Sequence, residues 1–446
     1  MPDLPAPPLS EGITDWWSRA GLFGVYVFAS FALLGITPAT LGLVLSVLAF
    51  LLRFNAWGRL IRDPVAMLAC AFGVYVTLHS LAFYLLAATP DEAATVLDHG
   101  SDWLKLLLFV PLAYWIGGRH ERLRRVLLLA LLGFTLGTFR KIDWATFGAD
   151  FFTTRFDAYL PSIAFGMFAG LGALGLLATR RAFWGAAERG PWFGARVALW
   201  AVWLLIMLEG LLLSQSRGSW LGFVAGTGIL LLLEWRTQPG SAASGDHPRR
   251  RLALLLVAGT LAGVLMSQWE TIGVRLSDQT ETLRQVIQGD VSEVAADPVG
   301  LRVNALQFAY EKWLERPWLG WGAGSSRELI TTSGRPEALL DNVNWLPHLH
   351  NSYAETAVQL GAVGLALAFA LLWALVRSSR RECRTGRLPA DMCALFAVSL
   401  GCVLVWNLFN YRVVRSDWMF FWILFAGGAY SFRLAWLIAP PGRGDA

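Results

Sequence analysis

The feature that most constrains this chain is a long series of apolar runs without charge, most of them about 15–25 residues long, the length that a helix needs to cross a bilayer. Apolar residues make up 55% of the 446 residues and charged residues only 15%, whereas a soluble domain is usually about a quarter charged. Many equivalent runs follow the first one, so we read it as a retained span and not as a cleaved signal peptide. The sequence predicts an all-α polytopic membrane protein.

About twelve spans are predicted, and arginine clusters separate them in alternate connections. Clusters of this kind are typical of cytoplasmic loops, so both termini are expected in the cytoplasm and the net charge of +5 does not indicate a nucleic-acid partner. The predicted spans are 22–36, 40–52, 65–88, 103–116, 126–139, 160–178, 197–213, 220–233, 252–266, 353–376, 390–408 and 418–438.

Three parts of the chain follow from these spans. Residues 1–266 would hold the first nine membrane helices, residues 267–351 one large outer loop with short helices, and residues 352–446 the last three helices. The acidic segment 89–101 is expected to be an outer loop. The four cysteines show no CxxC spacing, so the sequence supports neither a disulfide framework nor a zinc site.

Several basic residues depart from the positive-inside pattern and fall on the predicted outer face. One such residue alone is more often an anchor or a snorkelling side chain. A set distributed over five connections favours a shared anionic ligand, because guanidinium groups are natural partners of phosphate. The residues are Arg140, Lys141, Arg155, Arg217, Arg302, Arg412 and Arg415.

The outer loop contains a predicted helix over residues 301–316, with Arg302 in its first turn, and a short amphipathic helix over residues 280–289. The glycine-rich segment 319–324 follows Pro317. It lacks the Lys-Ser/Thr ending of a phosphate loop, so a tight turn on the membrane surface is the better interpretation.

His348 and His350 precede the tenth span. No acidic residue or cysteine accompanies them at ligand spacing, so no metal is predicted. His350 suits a general base, because the pKa of histidine lies near neutrality, although it could instead cap the helix. Glu355 could orient the His350 ring or an acceptor, or it could favour the positive end of the helix.

Three landmarks occur in order along the chain. Residues 216–220 read Ser-Arg-Gly-Ser-Trp, and residues 317–324 read Pro-Trp-Leu-Gly-Trp-Gly-Ala-Gly after a helix that begins with Gly-Leu-Arg. The third is His350-Asn351, followed after nine residues by Gly-Ala-Val-Gly. With about twelve spans and one large loop, the chain resembles the O-antigen ligase and polymerase superfamily of bacterial inner-membrane proteins.

The resemblance implies a GT-C-like fold of about twelve transmembrane helices with one large periplasmic loop. Within the superfamily, the chain is most similar to the ligases, which move a finished polysaccharide from undecaprenyl pyrophosphate to lipid A–core without a metal or cofactor. The resemblance maps the family's essential arginine pair to Arg217 and Arg302 and its essential histidine to His350. The remaining predicted substrate-binding residues are Arg155, Arg140, Arg412, Glu355 and Asn351.

Under this interpretation the partners are the undecaprenyl-pyrophosphate-linked glycan, lipid A–core and membrane lipids, and the oligomeric state stays open. An O-antigen polymerase and a protein O-oligosaccharyltransferase are the nearest alternatives. An anionic-lipid transporter or flippase is an alternative of another class. A transporter would show polar or broken helices near the membrane centre, where Lys105 and Glu209 are among the few charges.

Overall fold

The computed structural model describes residues 16–87, 89–144, 148, 151, 154–157, 159–184, 192–236, 273, 300–334 and 348–439. These residues form helices and contain no β-strand, which confirms the all-α prediction. Numbered in chain order, the helices are α1 Trp16–Phe31, α2 Ile36–Arg53, α3 Trp57–Leu60, α4 Pro64–Leu86, α5 Pro90–Lys105, α6 Phe109–Ile116, α7 His120–Phe139, α8 Ser162–Ala178, α9 Arg181–Trp184, α10 Phe193–Leu213, α11 Arg217–Arg236, α12 Gly300–Glu315, α13 Ser326–Thr331, α14 Ser352–Arg384, α15 Ala390–Trp406 and α16 Ser416–Ile438.

Six of these helices are long and apolar enough to cross a membrane: α2, α4, α10, α11, α14 and α16. The helices α8 and α15 are apolar but shorter. Large apolar side chains point outward along these helices, and Leu41, Leu86 and Val224 are 65%, 78% and 64% exposed. Continuous apolar surface of this kind is unusual in a soluble monomer and is suited to lipid.

Unit 1 of the structure contains residues 1–137, 300–390 and 410–446. Close packing of α1 on α2 depends on two glycines, because a Cβ on Gly24 would lie 2.6 Å from the carbonyl oxygen of Gly42. Small residues allow membrane helices to approach in this way. The helix α14 packs against α4, α16 and α12, so one long helix joins the candidate membrane helices α4 and α16 to α12.

Unit 2 contains residues 138–299 and 391–409, and its described helices are α8, α9, α10, α11 and most of α15. The helix α8 packs against both α10 and α11. Glycines again permit close approach, because a Cβ on Gly222 would lie 2.8 Å from the Cys402 carbonyl oxygen. The Trp200 indole donates a hydrogen bond to the Leu176 carbonyl (2.9 Å), which fixes α10 against α8.

Two expectations require correction. The acidic segment 89–101 is helical and belongs to α5, since Thr89 accepts a hydrogen bond from the Glu92 amide, Pro90 occupies the first turn, and two acidic residues follow it. The sequence supports no disulfide framework, yet Cys383 and Cys393 are disulfide-bonded, whereas Cys70 and Cys402 are free. No short motif marks such a pair.

Two further predicted helices can be compared with the structure, and two fall outside the described residues. The predicted helix 301–316 matches α12. The tenth span is longer than predicted, because α14 continues to Arg384. The helix is also interrupted at Gly361. The ninth span (252–266) and the short helix at 280–289 fall outside the described residues.

Candidate functional site

A segment between α12 and α13 enters the interruption in α14, and we call this segment, residues 317–324, the strap. The amides of Trp321 and Gly322 donate to the carbonyls of Val358 (2.9 Å) and Gln359 (3.0 Å). In the other direction, the amide of Ala362 donates to Pro317 (2.8 Å), and that of Val363 donates to Trp318 (3.3 Å). The strap thus satisfies backbone groups that the interruption removes from the helix, as an apolar environment requires.

Glycine makes this exchange possible at two positions. Gly361 has φ 66° and ψ −175°, a conformation that is essentially restricted to glycine. A Cβ there would lie 2.1 Å from the Trp318 carbonyl oxygen. On the strap, Gly320 has φ 71°, and its Cβ would lie 2.4 Å from the Val358 carbonyl oxygen. The glycine-rich sequence therefore serves close backbone contact with α14, which is consistent with the interpretation that it is not a phosphate loop.

Polar side chains of α4 hold the same junction from the other side. The Tyr75 hydroxyl donates to the Leu360 carbonyl, and Nε2 of His79 lies 2.7 Å from the carbonyl oxygen of Leu319. At the end of the strap, the amide of Gly324 donates to Oε1 of Gln359 (3.1 Å). The His79 and Gly324 contacts fix the strap to α4 and α14, and the Tyr75 bond joins these two helices directly.

The residues before α14 rest on a small apolar core. Leu349 is fully buried with Phe308 and Ala309 of α12, Ile330 of α13 and Val358 of α14. This core positions the peptide that carries His348 and His350, because Leu349 is anchored between them. The helices α12 and α13 thereby determine where the histidines lie.

Asn351 is the N-cap of α14. Its side-chain oxygen accepts hydrogen bonds from the amides of Tyr353 (2.9 Å) and Ala354 (3.0 Å), as an N-cap does. The cap is therefore Asn351, and the alternative in which His350 caps the helix is wrong. Capping gives Asn351 a structural role.

A chain of buried polar groups continues from the cap into α14. The Glu355 carboxylate is 1% exposed and accepts hydrogen bonds from the Leu349 amide (2.8 Å) and from Nε2 of Gln359 (2.8 Å). The same Gln359 nitrogen donates to the Tyr411 hydroxyl (3.3 Å). Burial and the Glu355 carboxylate raise the pKa of Tyr411 well above its usual value, so its hydroxyl stays protonated.

His350 adopts a strained backbone conformation. Its φ of 53° lies in the left-handed region, which costs a non-glycine residue about 1–2 kcal/mol. The His350 amide donates to Nδ1 of His348 (3.1 Å), and the two rings lie 4.3 Å apart between centres. Strain of this kind persists where the surrounding structure imposes it and is frequent at functional sites.

Positive charge surrounds the two histidines. The pKa of His348 lies well below its usual value because the ring is buried and because His350, Arg415, Arg412 and Arg302 add positive charge near it. His348 is therefore neutral at neutral pH, in keeping with its Nδ1 accepting a hydrogen bond. Arg412 also pairs with the buried carboxylate of Asp417 (2.9 Å), which holds its guanidinium in place.

In unit 2, the segment between α10 and α11 forms a second polar cluster. The hydroxyls of Ser216 and Ser219 are hydrogen-bonded to each other (2.9 Å), and Nε of Arg155 donates to the Ser214 carbonyl (3.3 Å). Gln215 has φ 49°, so it shares with His350 the left-handed conformation. These two are the positive-φ residues other than glycine in the described ranges. Arg217 begins α11 directly after this cluster.

The predicted site residues therefore fall into two groups. Unit 1 brings His350, Asn351, Glu355, Arg302 and Arg412 into one neighbourhood, and unit 2 places Arg155 beside the segment that ends at Arg217. Arg140 is exposed just after α7. Within the part of the chain that the structure describes, no group of three His, Cys, Asp or Glu side chains is arranged to hold a metal ion.

From the sequence, Arg415 was named among the basic residues of the predicted outer face and His348 beside His350, but neither was assigned to the site. Gln359, His79 and Tyr411 were not found. Gln359 and His79 are isolated polar residues in apolar runs, where no spacing indicates their partners, and Tyr411 lies in a short connection without such a spacing. The hydrogen bond from the Tyr75 hydroxyl to the Leu360 carbonyl was not predicted either.

The apolar helices with outward apolar faces are those of a membrane protein, and basic residues gather at the start of one of these helices. Residues 202–369 match the family model described as Wzy_C, O-antigen ligase. This match supports membership of the O-antigen ligase superfamily and covers all three residues to which the resemblance assigned essential roles. Among curated proteins no match was found.

Proposed function

We propose that this protein is an O-antigen ligase, which transfers polysaccharide from undecaprenyl pyrophosphate to lipid A–core without a metal or cofactor. The observation that carries the proposal is the gathering of Arg302, Arg412 and Arg415 around the paired histidines at the start of α14. The family match supports a glycosyltransferase of this superfamily, and the His-Asn landmark with one large outer loop favours the ligase reaction within it.

Charge stabilisation of the leaving group is the task assigned to the arginines. When the bond between the anomeric carbon and the phosphate oxygen breaks, the pyrophosphate gains negative charge, which fixed guanidinium groups can stabilise. Arg217 and Arg302 are proposed to hold the pyrophosphate, with Arg155, Arg140 and Arg412 as further contacts. Arg217 and Arg302 enter through the resemblance, and the bond from Arg155 to Ser214 supports a place for Arg155 near Arg217.

His350 is the proposed general base. It takes the proton of an acceptor hydroxyl while that oxygen attacks the anomeric carbon, so that one glycosidic bond forms, the bond to pyrophosphate breaks and the configuration inverts. The fixed backbone of His350, imposed by Asn351 and by the Leu349–Glu355 bond, supplies the orientation that such a step needs. Glu355 and Asn351 thus act by positioning His350.

The proposal includes the location of the protein and its orientation in the membrane. Twelve spans with one large periplasmic loop, in the bacterial inner membrane, would put this site at the periplasmic face and both termini in the cytoplasm. The arginine clusters at alternate connections support that orientation. The polyprenyl tail of the donor would lie against the outward apolar faces of the bundle.

The test uses purified protein in detergent with undecaprenyl-pyrophosphate-linked glycan, lipid A–core and a chelator. Wild-type protein should ligate, whereas Arg217→Ala and His350→Ala should not. The exposed residues Arg327 and His120 offer matched controls, and their alanine variants should ligate normally. His350→Ala should still bind the donor, and loss of donor binding in that variant would contradict its assignment as the base.

The same assay separates the alternatives. A polymerase would lengthen the donor glycan and leave lipid A–core unmodified, and a protein O-oligosaccharyltransferase would modify a protein acceptor. A transporter would give no product. The interruption of α14 at Gly361 is the observation that favours transport, since broken helices occur in transporters. Here, however, the strap hydrogen-bonds to the backbone groups at that break, which leaves them already occupied.

A further inference from the structure

A second group of guanidinium groups lies at the other end of α14 and α16. The helix α16 begins beside the candidate site and runs for 23 residues, or about 35 Å. Near its end, the Trp436 ring has Arg433 at 4.8 Å and both Arg381 and Arg387 at 5.5 Å, measured from guanidinium carbon to ring centre. The indole is 39% exposed. Three cations therefore surround one accessible aromatic ring.

Two of these arginines are fixed by buried carboxylates. Arg433 pairs with Asp63 (2.8 Å), whose other oxygen accepts a hydrogen bond from the Tyr430 hydroxyl (2.9 Å). Arg387 pairs with Glu382, which is fully buried. Because both carboxylates are buried in unit 1, the guanidinium groups of Arg433 and Arg387 are held in place before any ligand arrives.

Positive charge remains after this pairing. Arg59 donates to the Ala439 carbonyl (2.8 Å) and closes the end of α16 beside the same cluster. Among the residues that the structure describes, no carboxylate lies within salt-bridge distance of Arg59 or of Arg381. Four guanidinium groups thus meet two carboxylates, and the surface carries an excess of positive charge around an exposed indole.

We propose that this surface binds the phosphate of an anionic phospholipid, in the leaflet opposite the candidate site. Both α14 and α16 are candidate membrane spans, so their far ends lie at the level of lipid headgroups. Tryptophan is enriched at that level, and basic pockets between membrane helices bind anionic headgroups there. Guanidinium groups match the geometry of phosphate oxygens, and Arg381 supplies the unneutralised charge.

The test measures lipid retention by native mass spectrometry on delipidated, full-length protein. Phosphatidylglycerol, phosphatidylcholine with the same acyl chains, and glycerol 3-phosphate are titrated separately, so that a lipid headgroup is distinguished from a soluble phosphate. Arg381→Gln should weaken phosphatidylglycerol binding about fivefold. The matched control is Arg380→Gln, which removes one exposed arginine from a different face of the same helix end and should leave binding unchanged.

Three results would overturn the proposal. Equal weakening by Arg381→Gln and Arg380→Gln would mean diffuse attraction with no site. Retention of phosphatidylcholine as strong as that of phosphatidylglycerol would remove the role of charge. Retention of glycerol 3-phosphate as strong as that of phosphatidylglycerol would assign the surface to a soluble anion. Additional weakening by Trp436→Leu in the Arg381→Gln background would support the ring as part of the site.

Discussion

Replacement of Gly361 by alanine tests whether the strap and the interruption of α14 form one structure. The new Cβ would lie 2.1 Å from the Trp318 carbonyl oxygen and 2.6 Å from the Leu319 amide nitrogen. Both are backbone atoms, so no side chain can rotate away. Either the strap leaves α14 or the backbone at residue 361 changes its conformation, and both outcomes break the hydrogen bonds that join the two segments.

The expected loss of stability follows from two contributions. The backbone conformation of Gly361 costs a residue with a side chain about 1–3 kcal/mol. Release of the Ala362–Pro317 and Val363–Trp318 hydrogen bonds adds about 0.5–1.5 kcal/mol each. Gly361→Ala should therefore lower the free energy of unfolding by about 2–6 kcal/mol.

Gly386 provides the matched control, because it has φ 72° and no atom within 4 Å of its Cβ position. Gly386→Ala carries the backbone penalty without a clash and should cost about 1–2 kcal/mol. Denaturant titration of both variants in the same detergent measures the difference. Hydrogen exchange at Trp321 and Ala362 would report release of the strap. If Gly361→Ala destabilised the protein no more than Gly386→Ala, the inferred docking of the strap would be wrong.

Three further predictions concern the start of α14. His350→Gly should be about 1 kcal/mol more stable than His350→Ala, since glycine relieves the left-handed strain, although neither should ligate; equal unfolding free energies would argue against strain. Glu355→Ala should cost about 3 kcal/mol in denaturant titration, because the buried Leu349 amide loses its acceptor; a cost below about 1 kcal/mol would contradict that role. The pKa of His348 is lowered on folding, so the unfolded chain binds more protons below about pH 6.5 and stability falls as the pH decreases. His348→Asn should show a smaller fall between neutral pH and about pH 5, and an unchanged pH profile would refute the assignment.

Most of the helices could be predicted because their signals are local. Apolar runs indicated α4, α10 and α16 to within a few residues, and periodicity indicated α12. The helix α5 was predicted as a loop because of its acidic composition, although its Thr-Pro-Asp-Glu start favours a helix. Capping chemistry, and not composition, therefore determined what this segment forms.

The interruption of α14 could not be predicted, because its cause is not local. Glycine is common in membrane helices, and the sequence that follows Gly361 is as apolar as that of an unbroken span. What requires glycine there is the backbone of Trp318, more than forty residues earlier. Likewise, Gln359 and Tyr411 become a connected pair only once α14 has brought its polar turns beside residue 411.

The spacing of the third landmark has a physical explanation in α14. Asn351 begins the helix, and Gly361 interrupts it at the strap, so the nine residues between them fix the peptide that joins His350 to Asn351 about 15 Å from that junction. They also fix its rotation, since each residue turns the helix by about 100°. One residue inserted between Glu355 and Gln359 would rotate one of them relative to the other. If Gln359 kept its bond to the strap, Glu355 would turn away from the Leu349 amide, and if Glu355 kept that bond, Gln359 would turn away from the strap. The interval between His-Asn and Gly-Ala-Val-Gly therefore sets both the position and the orientation of the histidine.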